Sequence, residues 1–200
     1  LSMKTLYRHI SIIFVLVFSS GAIYSQSGWF PCNTGTDKNF TSVCFVNQST
    51  GWIVGYTNNN DYRGIILKTT NGGSIWTTQV DEYNIQPESV FFSDINTGWV
   101  TGDRLFGANK TAVKRTTNAG LNWMDITLPD NTIHTSSVFF IDQNTGWISG
   151  RDVNNNVRVM KTINGGANWL VIETGFITSS SGPKIRFINE NTGYMAALQL

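Results

Sequence analysis

Charge is scarce in this sequence. Only 14% of its 200 residues are charged, and 14 Lys and Arg against 13 Asp and Glu leave a net charge of +1. So neutral a surface has no electrostatic footprint for a phosphate backbone, which excludes nucleic acid as a partner. Histidine is scarcer still: His9 and His134 are the only two, and there is no CxxC or HxxxH. A metal centre with the usual ligand spacings is therefore excluded, and nothing calls for a cofactor. Two cysteines, Cys32 and Cys44, are too few for a disulfide framework. Only four prolines interrupt the chain, and beyond residue 25 no run has the period of an amphipathic helix. What is plentiful is aromatic residues, glycine, threonine and asparagine, a composition suited to many short strands joined by tight turns.

The first 25 residues differ in kind. Lys4 and Arg8 follow Met3, Ile12 to Phe18 is an unbroken apolar run, and Ser19 to Ala22 are small. This order is that of a secretory signal peptide, with cleavage after Ala22 or Ser25. The apolar run is too short to span a bilayer, so no stable membrane span is expected once it is removed. Leu1 and Ser2 read as read-through upstream of the start. The expected destination is secreted, periplasmic or at the cell surface.

The remainder repeats. Segments 42–80, 89–129 and 137–175 align with one another, and a fourth runs over 184–200. Gly51-Trp52, Gly98-Trp99, Gly146-Trp147 and Gly193-Tyr194 mark one landmark. The second is Thr-x-Asn-x-Gly-x-x-Trp: Thr69, Asn71, Gly73 and Trp76; Thr116, Asn118, Gly120 and Trp123; Thr162, Asn164, Gly166 and Trp169. With Trp29, every tryptophan occupies one of two repeat positions. Within each unit four short strands are predicted; in the third they are Ser137–Ile141, Trp147–Gly150, Val157–Thr162 and Trp169–Glu173. A repeat of about 47 residues, with four strands and no helix, predicts an all-β fold of four-stranded antiparallel β-propeller blades. Residues 26–200 then hold three full blades plus parts, a truncated and incomplete ring, with a closing strand around Trp29. Unalternating apolar runs such as Val90 to Phe92 fit inner strands covered on both faces.

In the second landmark, a Thr or Asn side chain can hydrogen-bond the backbone of its own turn, Gly permits positive φ, and Trp covers the hairpin. These residues resemble the Asp-box (BNR repeat) turn of sialidase-type propellers, with Thr for Ser and Asn for Asp. The pairing of Thr-Gly-Trp with Lys68-Thr-Thr-Asn-Gly-Gly-x-x-Trp76 is similar to the photosystem II stability/assembly factor-like propellers. That resemblance implies a propeller scaffold that binds other proteins, without implying photosynthesis, since fold does not fix function. A glycan-binding or glycan-hydrolysing propeller of the sialidase-like class is the alternative.

Catalysis is not expected. His134 alone cannot complete a Ser-His-Asp set, Arg186 is the only arginine placed to face the channel, and Asp81, Glu82 and Glu88 read as one exposed connection. Candidate partner-binding residues are the arginines of the connections between second and third strands: Arg63 beside Tyr62, Arg104 near Phe106 and Lys110, and Arg151 with Arg158. Asp61, Asp103 and Asp152 lie near them in sequence and are the expected local charge partners.

Overall fold

Thr-Gly and Asn-x-Gly turns, alternating with β-branched and aromatic runs, leave each repeat unit one economical solution, a four-strand meander. The computed structural model describes residues 31–57, 61–131, 133–179 and 182–198. The chain divides into two units, Leu1–Pro31 and Cys32–Leu200, and the described strands all belong to the second. The expected signal peptide and the expected closing strand around Trp29 lie outside the described residues.

Blade one comprises β1 (Asn39–Phe45), β2 (Gly51–Tyr56), β3 (Arg63–Thr69) and β4 (Thr77–Tyr83). Blade two comprises β5 (Gln86–Phe92), β6 (Gly98–Asp103), β7 (Thr111–Thr116) and β8 (Met124–Ile126). Blade three comprises β9 (His134–Phe140), β10 (Gly146–Arg151), β11 (Asn156–Thr162) and β12 (Leu170–Ile177). A fourth blade begins with β13 (Lys184–Asn189) and β14 (Thr192–Ala196). Each sheet is an antiparallel meander with its strands in sequence order. In blade three the first strand begins earlier than its apolar run, at His134, because Thr135 N–H and the His134 ring are both tied to Asp103 of blade two. The fourth strand continues to Ile177 through an irregularity that re-pairs it with Asn156.

The first strands of successive blades lie side by side, β1 against β5, β5 against β9, and β9 against β13. Apolar burial follows this arrangement, for the core consists of three clusters, each spanning two blades. Trp52, Val54 and Ile66 of blade one meet Val90 and Phe92 of blade two. Trp99 and Val113 of blade two meet Val138 and Phe140 of blade three. Trp147, Val157 and Val159 of blade three meet Ile185 of blade four.

One aromatic contact recurs at every seam and accounts for the first landmark. Trp52 stacks on Phe92 with ring centroids 3.5 Å apart, Trp99 on Phe140 at 3.6 Å, and Trp147 on Phe187 at 3.7 Å. Large flat rings pressed face to face remove much apolar surface from water and gain dispersion contact over their whole area. Beside each Trp stands the cation that precedes the turn Thr: Lys68 Nζ is 5.3 Å from the Trp52 ring, the Arg115 guanidinium 5.7 Å from Trp99, and Lys161 Nζ 5.3 Å from Trp147. A serine seam runs parallel to the stack. Val90 N–H donates to Ser42 Oγ at 3.2 Å, Val138 N–H to Ser89 Oγ at 3.3 Å, and Ile185 N–H to Ser137 Oγ at 3.4 Å.

The second landmark is one turn built three times. Thr69 Oγ1 accepts from Gly73 N–H at 2.9 Å and Asn71 N–H at 3.3 Å, and donates to Asn71 Oδ1 at 2.9 Å; Oδ1 also accepts from Ile75 N–H at 2.8 Å. Thr116 with Asn118, and Thr162 with Asn164, repeat all four bonds. An amide oxygen thus does the accepting that a carboxylate does in an Asp-box. Gly73, Gly120 and Gly166 have φ of +90°, +85° and +88°, a region closed to most side chains. The turn tryptophans then set their edges against the stacked phenylalanines, Trp123 on Phe92 and Trp169 on Phe140. Trp169 donates its indole N–H to Gly166 O at 3.1 Å, whereas Trp76 donates to Cys32 Sγ at 3.2 Å.

Candidate functional face

In a four-strand antiparallel meander, strands two and four end at the same sheet edge where strands one and three begin. That edge carries the connections from strand two to strand three and from blade to blade. The opposite edge carries the repeated turns, where the blades are alike. A residue kept alike in every blade serves the seam, so differences between blades show where something other than folding is served. At the first edge the blades do differ. The equivalent cross-strand pairs are Asn39 with Tyr56, Gln86 with Asp103, and His134 with Arg151.

Near the inner strands this edge forms a cavity of about 310 Å³, lined by Glu88, Asp103, His134, Ser136, Arg151 and Lys184 among others. Asp103 accepts from His134 Nδ1 at 2.7 Å through one oxygen and from Thr135 N–H at 2.9 Å through the other. Burial nonetheless raises the Asp103 pKa, against the opposing pull of those bonds. Burial raises the Glu88 pKa too, with Asp103 adding to it and Lys184 opposing it. The Tyr56 hydroxyl is raised by burial and then by Glu88 and Asp103. Lys184 Nζ donates to Ser136 O at 2.6 Å. An oriented imidazole beside acids is a proton-handling arrangement, but the single Ser136 hydroxyl proton is already given to Pro183 O at 2.7 Å, with Ser149 O the longer contact at 3.2 Å. Among the described residues no three His, Cys, Asp or Glu side chains are placed to hold a metal ion.

Glu88 was read from sequence as one exposed connection with Asp81 and Glu82, and the structure corrects this. Ile85 and Pro87 are buried, so the chain passes from blade one straight into β5 and takes Glu88 onto an inner strand. Asp81 and Glu82 stay behind on β4 and serve as ion-pair partners.

Further out on the same edge the loops of blades one and two bring three aromatic rings together. Tyr62 lies edge-on to Phe106 at 5.1 Å and to Tyr83 at 6.5 Å, and Tyr83 stacks on Phe106 at 6.0 Å. Tyr83 is 54% exposed and Phe106 46%. Asn84 joins the two loops, accepting from Phe106 N–H at 2.6 Å, donating to Phe106 O at 3.0 Å and giving its own N–H to Tyr62 O at 2.7 Å. Tyr62 and Phe106 stood out in the sequence because they adjoin arginines. Tyr83 and Asn84 did not, since nothing in the chain order shows that the end of β4 meets the following blade's loop.

The four arginines do not form one basic patch. Arg63 is paired with Asp81 at 2.8 Å rather than with Asp61, which pairs with Lys38 at 3.2 Å. Arg104 lies 3.4 Å from both Glu82 and Asp125, and Lys114 reaches the same two acids at 2.7 and 2.8 Å. Arg158 pairs with Asp152 at 2.9 Å and with Glu173. Arg151 instead donates to Asn155 Oδ1 at 3.1 Å and lines the cavity. Arg186 lies on β13 with its guanidinium 5.3 Å from the Phe139 ring.

No family model matches the chain, and no curated protein does. Solved structures match by shape. The structure of YCF48 bound to D1 peptide superposes with a TM-score of 0.55 at 21% identity, over 76% of this chain and 48% of that one. YCF48 from Cyanidioschyzon merolae gives 0.52 at 24% identity, over 70% and 38%. The GH74 xyloglucanase from Xanthomonas campestris gives 0.54 at 13% identity, over 79% and 27%. The chain spans less than half the length of each of these. Proteins of unlike activity share the likeness, which is one of fold: residues 32–198 are blades of a β-propeller, as the repeat predicted.

Proposed function

We propose that the chain is a non-catalytic, protein-binding propeller that works outside the cytoplasm and meets its partner on the face where strand two connects to strand three. The observation that carries this reading is the cluster of Tyr62, Tyr83 and Phe106, with Tyr83 and Phe106 exposed and Asn84 holding the loops together. Aromatic rings fixed at a protein surface gain contact area on binding at little entropic cost, and Tyr and Arg are favoured anchors of interfaces. Arg63 and Arg104 flank the rings with their charges already paired, so they supply directional donors without a strong field. The similarity to YCF48, a propeller solved with a bound peptide, supports the same assignment. The test is selection of a displayed peptide library on the native protein and on a Tyr83→Ala, Phe106→Ala double variant. Sequences enriched on the native protein and lost on the variant are expected; enrichment indifferent to the two rings would refute the reading.

A further inference from the structure

The seam between blades two and three departs from the other seams at one position. At the first seam Thr41 Oγ1 donates to Pro87 O at 2.7 Å, and at the third Ser136 Oγ donates to Pro183 O at 2.7 Å. Glu88 occupies the equivalent place in blade two. An ionised carboxylate only accepts, so it cannot make the matching bond to Thr135 O. Among the described residues the Glu88 carboxylate has no hydrogen-bond or ion-pair partner, though the residue is half-buried. The seam is closed by other means: Thr135 Oγ1 donates to Gly102 O at 2.6 Å, and Asp103 binds His134 and Thr135 N–H. A half-buried acid thus stands where a hydroxyl would serve the fold better, and it opens into the cavity that also holds Asp103, Arg151 and Lys184. Positions that sacrifice stability in this way are where ligands are bound.

The lining selects the ligand. Two carboxylates face two cations, so neither an anion nor a cation gains from the site as a whole. Glu88 offers free acceptors. Arg151 and Lys184 each have donors left over after one bond apiece, to Asn155 Oδ1 and Ser136 O. A hydroxyl both donates and accepts, and interleaved acceptors and donors on a balanced wall match a set of adjacent hydroxyls. About 310 Å³ is at the lower end of the range for small-molecule sites. We propose that this cavity binds a neutral sugar ring, with Glu88 accepting from its hydroxyls and Arg151 and Lys184 donating to them. The site is separate from the aromatic cluster, and it does not rest on the protein-binding reading.

Saturation-transfer NMR on the native protein tests it, using the methyl glycosides of glucose, galactose, mannose and N-acetylglucosamine, with glycine as a zwitterionic competitor. Glu88→Thr is the informative variant because it restores the seam bond. Its melting temperature should rise by about 2–4 °C, the shift of one added hydrogen bond in a chain of this size. Its affinity for the bound glycoside should fall at least about tenfold, the loss of a charged hydrogen bond. Tyr83→Ala with Phe106→Ala should leave glycoside binding unchanged, so this test and the peptide selection fail independently. Saturation transfer from none of the four glycosides, equal transfer in Glu88→Thr, displacement by glycine, or a lowered melting temperature in Glu88→Thr would each overturn the proposal.

Discussion

Asn84 grips Phe106 through both ends of one side-chain amide, accepting from its N–H and donating to its carbonyl, as a neighbouring β-strand would. The loop after β6 is thereby fixed to the turn that leaves blade one. Asn84 itself has φ of +66°, a conformation that asparagine tolerates better than most residues. Asn84→Gly, which keeps the positive φ without strain, should cost only about 1 kcal/mol of stability, since both bonds are exposed to water. It should weaken partner binding by more than that loss explains, because Phe106 is freed. Urea denaturation and peptide affinity, measured on the same variant, separate the two effects.

Trp99 is fully buried and belongs to two blades at once, stacked on Phe140 and flanked by Arg115. Trp99→Ala should destabilise the protein by about 3–5 kcal/mol. Equilibrium unfolding checks this, and a cost near that of an exposed aromatic, such as Tyr83→Ala, would show that the seam does not depend on the stack.

Gly120 serves its turn in two ways, through its φ of +85° and through its lack of a side chain. A Cβ there would lie 3.0 Å from Gln79 Oε1, 3.2 Å from Trp52 Nε1 and 3.3 Å from Trp123 Nε1. Gly120→Val should lower the melting temperature and alter binding only through misfolding. Unchanged melting with binding abolished would instead make the turn a recognition element.

Burial raises the Glu88 pKa above its value in the unfolded chain, so the folded state holds this proton more tightly. The resulting contribution to stability is complete below the unfolded-state pKa of the carboxyl and is lost as pH rises through its folded-state value. Glu88→Gln lacks that titration. The variant should therefore gain stability relative to the native protein as pH rises from the acid side of the carboxylate range to neutrality. Urea midpoints at a series of pH values test the sign, and a gap constant with pH would contradict it.

The two thiols should react at different rates. Cys32 is exposed, between Trp76 Nε1 and Gly73 O, whereas Cys44 packs against the seam of blades one and two and burial raises its pKa. Thiolate is the reactive form. Maleimide should label Cys32 first in the folded protein and both thiols alike in denaturant, as mass spectrometry would read out.

The repeat made the architecture legible because a seam needs the same bulky pair each time. Trp52, Trp99 and Trp147 recur once per blade, as do the phenylalanines they stack on, and that recurrence in the sequence reports contacts that the chain order otherwise hides. The turns were legible for the same reason, down to the hydroxyl that accepts from two backbone N–H groups. The functional face was not. Arg63, Arg104 and Arg158 were conspicuous, but their charges are spent on Asp81, Glu82, Asp125, Asp152 and Glu173, and all of these but Asp152 lie on a strand distant in sequence. Glu88 was misplaced because a charge close behind Asp81 and Glu82 reads as solvated, whereas it lies half-buried on an inner strand between buried Pro87 and Ser89. Sites of this kind depend on which blade differs, and a pattern found by similarity passes over them.

The Trp–Phe seam also has a direction. The indole always comes from the earlier blade and the phenyl from the later one, so the two sides of a blade are unlike and mate head to tail. The aromatic part of each seam asks of the earlier blade a tryptophan and of the later one a phenylalanine, and the serine bonds beside it likewise join neighbouring blades. A gene built on such a rule can gain or lose a blade by in-frame duplication or deletion without redesigning any surviving seam. Its loops, meanwhile, drift apart one blade at a time, and that is how a row of copies comes to have a single place where an acid stands among hydroxyls.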